Sequence, residues 1–288
     1  MRGLDFDASG LCRVVGAPAF GRQDRGHAPG GPADRFGMWA GNALLGQDRH
    51  APALEIVHLP EVRFTDPALF VISGAPRKRP RLGGAASGAA IEVEHGVVYA
   101  ARAGDRLVLG PPEQGLRTYL CVDDEHRPDR AGRRRPAFDD ICRTADPGGA
   151  IRVIPGPEHG WLASPGAVWD RAWRLTREMS DVGLRIVPAD EAVPVPAADP
   201  PEITSGPVAD GTVQLTPAGL VVLLRQRPTL GGYPRIATVS DVDIDRLAQY
   251  QPGQTLRFRA VSADEAAALY RQREQDLADL GEGLGLLG

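Results

Sequence analysis

"PTLGGYPRIATV", residues 228–239, decides how the rest of the chain is read. Two adjacent glycines, an aromatic residue and a proline stand directly before an apolar run that begins at Ile236. A plain hairpin needs only Gly231 and Gly232 as turn residues. Tyr233 and Pro234 ask for more. Glycines open dihedrals closed to other residues and leave main-chain amides bare for an anion, a carboxylate or a carbonyl. Tyr233 then stacks on or hydrogen-bonds a flat ligand, and Pro234 fixes the exit into the strand. The alternative is a tight turn with Tyr233 buried.

The strand that leaves this turn is one of many. Short β-like runs recur at 68–73, 90–100, 106–110 and 118–123, separated by Gly, Pro or Asp. A second set follows at 150–156, 173–179, 183–188, 212–216, 220–226, 235–239 and 255–261. "TPAG" (216–219) is a turn, with Pro217 at its second position. This rhythm predicts mostly antiparallel sheet or barrel. Helices are few. One covers 34–46, with Gly46 as terminator, and one covers 240–253, with Ser240 as N-cap. A third covers 262–280 and opens on a Ser262–Glu265 capping box.

At 288 residues the chain has room for about two domains. We place an N-terminal β domain at 1–125, a charged linker at 126–149, a C-terminal β domain at 150–280 and a flexible tail at 281–288. The Pro-rich stretch 188–201 is an excursion within the second domain. Hydrophobic residues make up 42% but aromatics only 6%, so the cores are mainly aliphatic.

Several function classes drop out. A net charge of -4 argues against nucleic acid as a partner. The single lysine, Lys78, lies in "RKRPR", read as a solvated loop, and no Gly-Lys-Ser/Thr phosphate loop exists. No GxSxG, HExxH or GxGxxG occurs. Three cysteines at long spacing (Cys12, Cys121, Cys142) exclude a CxxC zinc or redox motif and fit a reducing, cytoplasmic location. No apolar run is long enough for a membrane span. "DDEH" (123–126) gathers ligand types, but adjacent residues rarely converge on one ion, so no metal is expected.

Two further stretches carry candidates. In "APGGPADRFGMWAGNALLG" (28–46) a Gly-Gly-Pro turn delivers Asp34 to a helix start. Asp34 either caps that helix or adds a carboxylate to a pocket wall. Glu55 sits in the apolar run "ALEIV". Strand alternation turns it to water; if it points inward it needs a partner.

Taken together, "GGPADRFGMWAGNALLGQ", "ALEIV", "TYLCV", "IRVIPGPE" and "LGGYPRIATVSDVDIDRLAQYQPGQTLRFRAVSADEA" resemble the family of the 5-oxoprolinase C subunit. That family is also known as allophanate hydrolase subunit 2 or the biotin-dependent carboxyltransferase domain. The resemblance spans roughly residues 10–272 and is strongest in the C-terminal part. It implies two cyclophilin-like β-barrel domains. It also implies a partner of related fold, the B-type subunit, a third subunit in the 5-oxoprolinase case, and ATP or carboxyl-biotin as energy source. The substrate class it implies is a small amide, lactam or ureido group. Gly231, Gly232 and Tyr233 become a substrate-binding wall, with Asp34, Asn42 and Glu55 in the core pattern of the site. No catalytic residue is assigned.

The chain departs from the family pattern in places. The usual Val-Gln-Asp near the N-terminus reads Val14, Val15, Gly16. The arginine before the helix asparagine is Trp39, and the arginine expected near 181 is Asp181. A Ser-Glu-Gly signature reads Thr204, Ser205, Gly206. The run before the glycines is Gln226, Arg227, Pro228, Thr229, Leu230, and the segment after 123 is unrelated. Each lost charge-assisted contact costs about 1.5–3 kcal/mol. The alternative to an enzyme component is therefore a non-catalytic binding or regulatory protein on the same frame.

Overall fold

The computed structural model describes residues 3–7, 10–84, 90–123, 131, 149–162, 166–190, 197, 199 and 201–282. Almost all of the 126–149 linker, the "DEH" of 124–126, most of 191–200 and the tail beyond 282 lie outside them. The chain divides into two compact units. The first takes residues 1–17, 34–145 and 274–288; the second takes 18–33 and 146–273.

The first unit contains β1 (Leu4–Phe6), β2 (Leu11–Val15), α1 (Arg35–Leu45), β3 (Ala53–His58), β4 (Glu61–Phe64) and β5 (Ala68–Gly74). β6 (Arg81–Gly83), β7 (Ile91–Glu92), β8 (Tyr99–Ala101), β9 (Arg106–Val108) and β10 (Thr118–Asp123) complete it. They form two five-stranded antiparallel sheets, in the orders β1-β4-β9-β6-β7 and β2-β3-β10-β5-β8. Alternation along β3, β5 and β10 sorts side chains onto two faces. Leu54, Ile56, Phe70, Ile72 and Leu120 meet Val62, Phe64 and Leu107 of the other sheet. Ala53, Leu69, Val71, Tyr119 and Cys121 face α1, where Phe36, Ala40, Leu44 and Leu45 cover them. The run 90–100, expected as one strand, is two short ones in different sheets, because the chain turns at Gly96, whose φ is 71°.

The second unit contains β11 (Ile151–Pro155), α2 (Gly166–Trp169), β12 (Trp173–Met179), β13 (Gly183–Pro188), β14 (Gly206–Pro207) and β15 (Thr212–Thr216). It continues with β16 (Gly219–Leu223), β17 (Leu230–Gly231), β18 (Arg235–Val239), α3 (Asp241–Leu247), β19 (Thr255–Leu256) and β20 (Phe258–Ala260). α4 (Ala263–Glu282) begins in this unit, and its residues from 274 onward belong to the first. Eight strands order as β19-β12-β13-β16-β15-β18-β11-β20. The two edge strands are separated in sequence by Arg257 alone, so the sheet's edges meet and the barrel nearly closes. That residue also breaks the expected 255–261 strand, and its carbonyl accepts from the Ile151 amide at 2.7 Å. Leu175, Ile186, Val213, Leu220, Val222, Ile236 and Trp173 fill the interior. The mainly β, barrel-based class read from the sequence is what the chain adopts.

Candidate functional site

Asp34 caps α1: its Oδ1 accepts from the Gly37 amide at 2.8 Å, and Gly46 closes the helix in the left-handed region. The Asp34 amide donates to the Tyr119 hydroxyl at 2.8 Å, which itself donates to Glu55 Oε2 at 2.8 Å. Glu55 Oε1 accepts from Arg13 Nε at 2.9 Å, and Arg117 Nε stands 3.8 Å away. The register explains the convergence. Arg13 of β2 and Tyr119 of β10 each sit directly opposite Glu55 of β3, so three strands place one row of polar side chains on the α1 face.

The expectation that Glu55 faces water is therefore corrected. It is 3% exposed, because partners from both neighbouring strands make burial tolerable. Burial pushes the Tyr119 phenol well above its ordinary pKa, with the Glu55 and Asp34 carboxylates adding to the rise. Asn42 lies toward the other end of α1. Its Nδ2 donates to the Arg49 and Ala51 carbonyls at 3.0 and 2.8 Å, and its Oδ1 accepts from Gln47, so it holds the 47–51 loop.

Arg77, expected in a solvated run, is buried as well. Its Nε donates to the Thr118 hydroxyl at 2.7 Å and its Nη2 to the Ile56 carbonyl at 2.7 Å. Burial lowers its pKa to about 10. Lys78 is exposed.

Gly231, the second residue of β17, and Gly232 and Tyr233, which lead from it toward β18, lie half-buried in the second unit. Gly231 pairs with Gly206 of β14, and the Gly232 carbonyl accepts from the Ile203 amide at 2.9 Å. Segments 203–207 and 229–232 thus make a small two-stranded flap. Neither glycine has a positive φ. Space matters at Gly231 instead: a Cβ there would run into the buried Gln214 carboxamide, which would have to move, and stand 3.0 Å from Val208. A Cβ on Gly232 meets nothing closer than the Ser205 hydroxyl at 3.4 Å. Gln214 Nε2 makes a long contact, 3.5 Å, to the Tyr233 carbonyl. The turn therefore brings the buried Gln214 carboxamide against Gly231 and the Tyr233 carbonyl, with the Ser205 hydroxyl nearest to Gly232.

The six expected site residues accordingly fall into two groups. Tyr119 links Asp34 and Glu55 in the first unit, with Asn42 on the same helix as the Asp34 cap. Gly231, Gly232 and Tyr233 share one turn in the second.

Ion-pair networks in the second unit escaped sequence reading. Arg225, 1% exposed, reaches Asp245 at 2.9 Å, Asp241 at 3.1 Å and Asp210 at 3.4 Å. Its own carbonyl accepts from the Gly30 amide at 3.2 Å, which ties the 18–33 segment to this unit. Burial lowers the guanidinium's pKa, but Asp245 and Asp241 outweigh it and the net shift is upward. Arg152 grips Asp243 with Nε at 2.7 Å and Nη2 at 2.8 Å, and Arg246 adds a third contact at 2.9 Å. The only signal for these pairs was an arginine-rich composition, which carries no partner information.

Among the described residues no three His, Cys, Asp or Glu side chains group as metal ligands, and no helix is long and apolar enough to cross a membrane.

A family model described as carboxyltransferase domain, subdomain A and B, matches residues 25–130 and 125–260. The chain is 27% identical to the 5-oxoprolinase C subunit of Haemophilus influenzae over 307 residues, covering 93% of this chain and 94% of that protein. It is 24% identical to a putative urea carboxylase of Emericella nidulans, covering 92% of this chain but only 24% of that longer one. Among solved structures it superposes on the K. lactis urea amidolyase with a TM-score of 0.80 at 18% identity. It spans 20% of that chain, and at this identity the likeness speaks for the fold alone.

Proposed function

From the premise that this chain belongs to the carboxyltransferase-domain family, we infer that it is one component of an ATP-dependent 5-oxoprolinase-type or carboxyltransferase-type enzyme. Its substrate is a small amide, lactam or ureido compound, and it acts with a partner of the B-subunit type, and in the 5-oxoprolinase case with a third subunit. The observation that carries this reading is the end-to-end match with a 5-oxoprolinase C subunit, 93% of one chain against 94% of the other. The free thiols of Cys12 and Cys121 support a reducing, cytoplasmic setting.

Gly231, Gly232 and Tyr233 form the wall against which the planar group lies. The phenol supplies a flat apolar face with a polar tip, beside a turn in which Gly231 is paired with Gly206 and the Gly232 carbonyl is taken by the Ile203 amide. Asp34 and Glu55 act through the Tyr119 hydroxyl and orient the start of α1; Asn42 orients the loop behind it. Of the two energy sources, the ureido ring of carboxyl-biotin suits this wall. A triphosphate asks for free cations, and Arg235, the nearest guanidinium in sequence, is paired with Glu158 at 2.6 Å. ATP chemistry is then the work of another protein of the complex.

A second reading, a non-catalytic regulator on the same frame, is favoured by Trp39. Where the resemblance expects an arginine, this ring is buried in the core beneath the Arg49 guanidinium, 4.7 Å from its centroid.

The test is co-purification with a protein of the B-subunit type, then with a third subunit, and assay of ATP-dependent ring opening of 5-oxoproline. Turnover supports the enzyme; a stable complex that turns over neither 5-oxoproline nor a carboxyl-biotin substrate supports the regulator.

A further inference from the structure

The stretch "IRVIPGPE" ends on Glu158, which has an unusual set of contacts. Glu158 Oε2 accepts from both the Arg235 amide and Arg235 Nε at 2.9 Å, and Oε1 accepts from Arg235 Nη2 at 2.6 Å. The Glu158 amide in turn donates to the Arg235 carbonyl at 3.3 Å. Residue 235 therefore has its amide, its carbonyl and two sides of its guanidinium engaged by one residue 77 positions away.

The residues flanking the pair are held just as closely. The Gly156 amide donates to the Ile236 carbonyl at 2.9 Å, and a Cβ on Gly156 would run into the Arg235 carbonyl. The remaining guanidinium nitrogen, Nη1, donates to the Pro207 carbonyl at 3.0 Å. Pro207 lies in β14, which pairs with Leu230 and Gly231 of β17. One carboxylate thus fixes both sides of the turn that carries Tyr233. Arg235 is the residue after Pro234 on the exit side, and through Pro207 the same guanidinium holds the flap strand paired to Gly231 on the other side.

We propose that Glu158 is a positioning residue of this site, which through Arg235 sets the placement of the Gly231–Tyr233 wall and holds the 203–207 flap against it. The proposal rests on the reading of that wall as the substrate-binding surface. Its physics is that of a supporting shell: a bidentate carboxylate–guanidinium pair is stiff and directional, and a displacement of about 1 Å at a binding wall is enough to cost a large factor in rate. Glu158 is buried and Arg235 half-buried, so solvent screens the pair only in part.

Two measurements test it on the full chain. Hydrogen–deuterium exchange is followed in wild type, Glu158→Gln, Glu158→Ala and Arg235→Ala. Peptides covering 203–208 and 229–236 are expected to exchange about tenfold faster in the variants, while 53–58 and 118–123 in the other unit stay unchanged. Exchange of the flap and turn peptides within twofold of wild type in both alanine variants overturns the proposal. Should either alanine variant fail to fold, Glu158→Gln, which keeps the side chain's size and one acceptor, decides by the same threshold. In the second measurement the complex with a partner of the B-subunit type is assayed on 5-oxoproline. Glu158→Gln is expected to raise KM about tenfold with kcat within about threefold, because the wall is misplaced while the chemistry is intact. Unchanged KM overturns the positioning role. If the wild-type complex itself has no turnover, it is the functional reading that fails, and exchange alone judges the strut.

Discussion

Replacing Glu55 removes the hub of the polar row on the α1 face, and the consequence can be worked from its contacts. In Glu55→Ala the Tyr119 hydroxyl loses its acceptor at 2.8 Å and the Arg13 guanidinium its partner at 2.9 Å. Arg117, 3% exposed, loses the carboxylate at 3.8 Å. Removing one member of a buried charged set costs about 3–5 kcal/mol. Arg13 adds little to that, since its side chain is 29% exposed and solvent compensates it. Glu55→Gln keeps an acceptor for Tyr119 and removes only the charge, so about 1.5–3 kcal/mol is expected. Tyr119→Phe removes the bond to the Glu55 oxygen and the bond from the Asp34 amide in the interior, at about 1–3 kcal/mol each. The two residues share one bond, so a double-mutant cycle of Glu55→Gln with Tyr119→Phe is expected to show coupling of about 0.5–3 kcal/mol. The assay is urea unfolding of the full chain, followed by far-UV circular dichroism. A loss below about 1 kcal/mol in Glu55→Ala, with no coupling in the cycle, refutes the hub.

Three other outcomes follow from the contacts. Burial raises the Asp243 carboxyl, but Arg152 and Arg246 outweigh it, so its pKa lies below the usual range; Arg235 lowers that of Glu158 in the same direction. Groups depressed on folding stabilise above the unfolded pKa and lose that contribution as pH falls through the folded one. The urea midpoint should therefore hold from about pH 8 to 5 and drop below about pH 4, and Asp243→Asn should flatten the drop; a wild-type midpoint flat to about pH 3 contradicts this. The Cys121 thiol, fully buried and pushed up to about 12, should be alkylated far more slowly at pH 7.5 in the native chain than Cys12, which is half-buried and raised less, by burial and by Asp7; equal rates by peptide mapping contradict this. Gly231→Ala should cost about 1–3 kcal/mol as Gln214 is forced aside, whereas Gly232→Ala, with 3.4 Å of clearance, should stay within about 0.5 kcal/mol; equal costs by thermal unfolding contradict the assigned reason for Gly231.

What the sequence disclosed follows the range of the forces involved. α1 was legible because its signals are local: Asp34 caps from three residues before Gly37, and Gly46 closes the last turn. The Thr216–Gly219 turn between β15 and β16 was legible for the same reason. Glu55 was not, because Arg13 and Tyr119 lie 42 and 64 positions away and meet it only once three strands are in register. Arg77 looked solvated inside a charged run, yet its partners, Thr118 and the Ile56 carbonyl, are also distant in sequence. Strands of two or three residues, such as β6, β14 and β17, carry no periodicity to read; tertiary pairing alone makes them. The glycine pair stands out in the sequence, but unusual dihedrals are not the reason that operates at Gly231. Close approach of a side chain from another strand leaves no mark in local sequence.

The central claim is that the half-buried turn of Gly231, Gly232 and Tyr233 is a ligand wall in a protein that works only within a complex. Gly232→Val tests it most directly, since a Cβ at that position makes only ordinary contacts, with the Ser205 hydroxyl at 3.4 Å and the Ile203 carbonyl at 3.6 Å, while the branched side chain adds bulk beside Tyr233. In the complex with a partner of the B-subunit type and a third subunit, wild type is expected to open 5-oxoproline with ATP, and Gly232→Val is expected to lose at least about tenfold in kcat/KM at unchanged thermal stability. Turnover equal to wild type in that variant contradicts the claim.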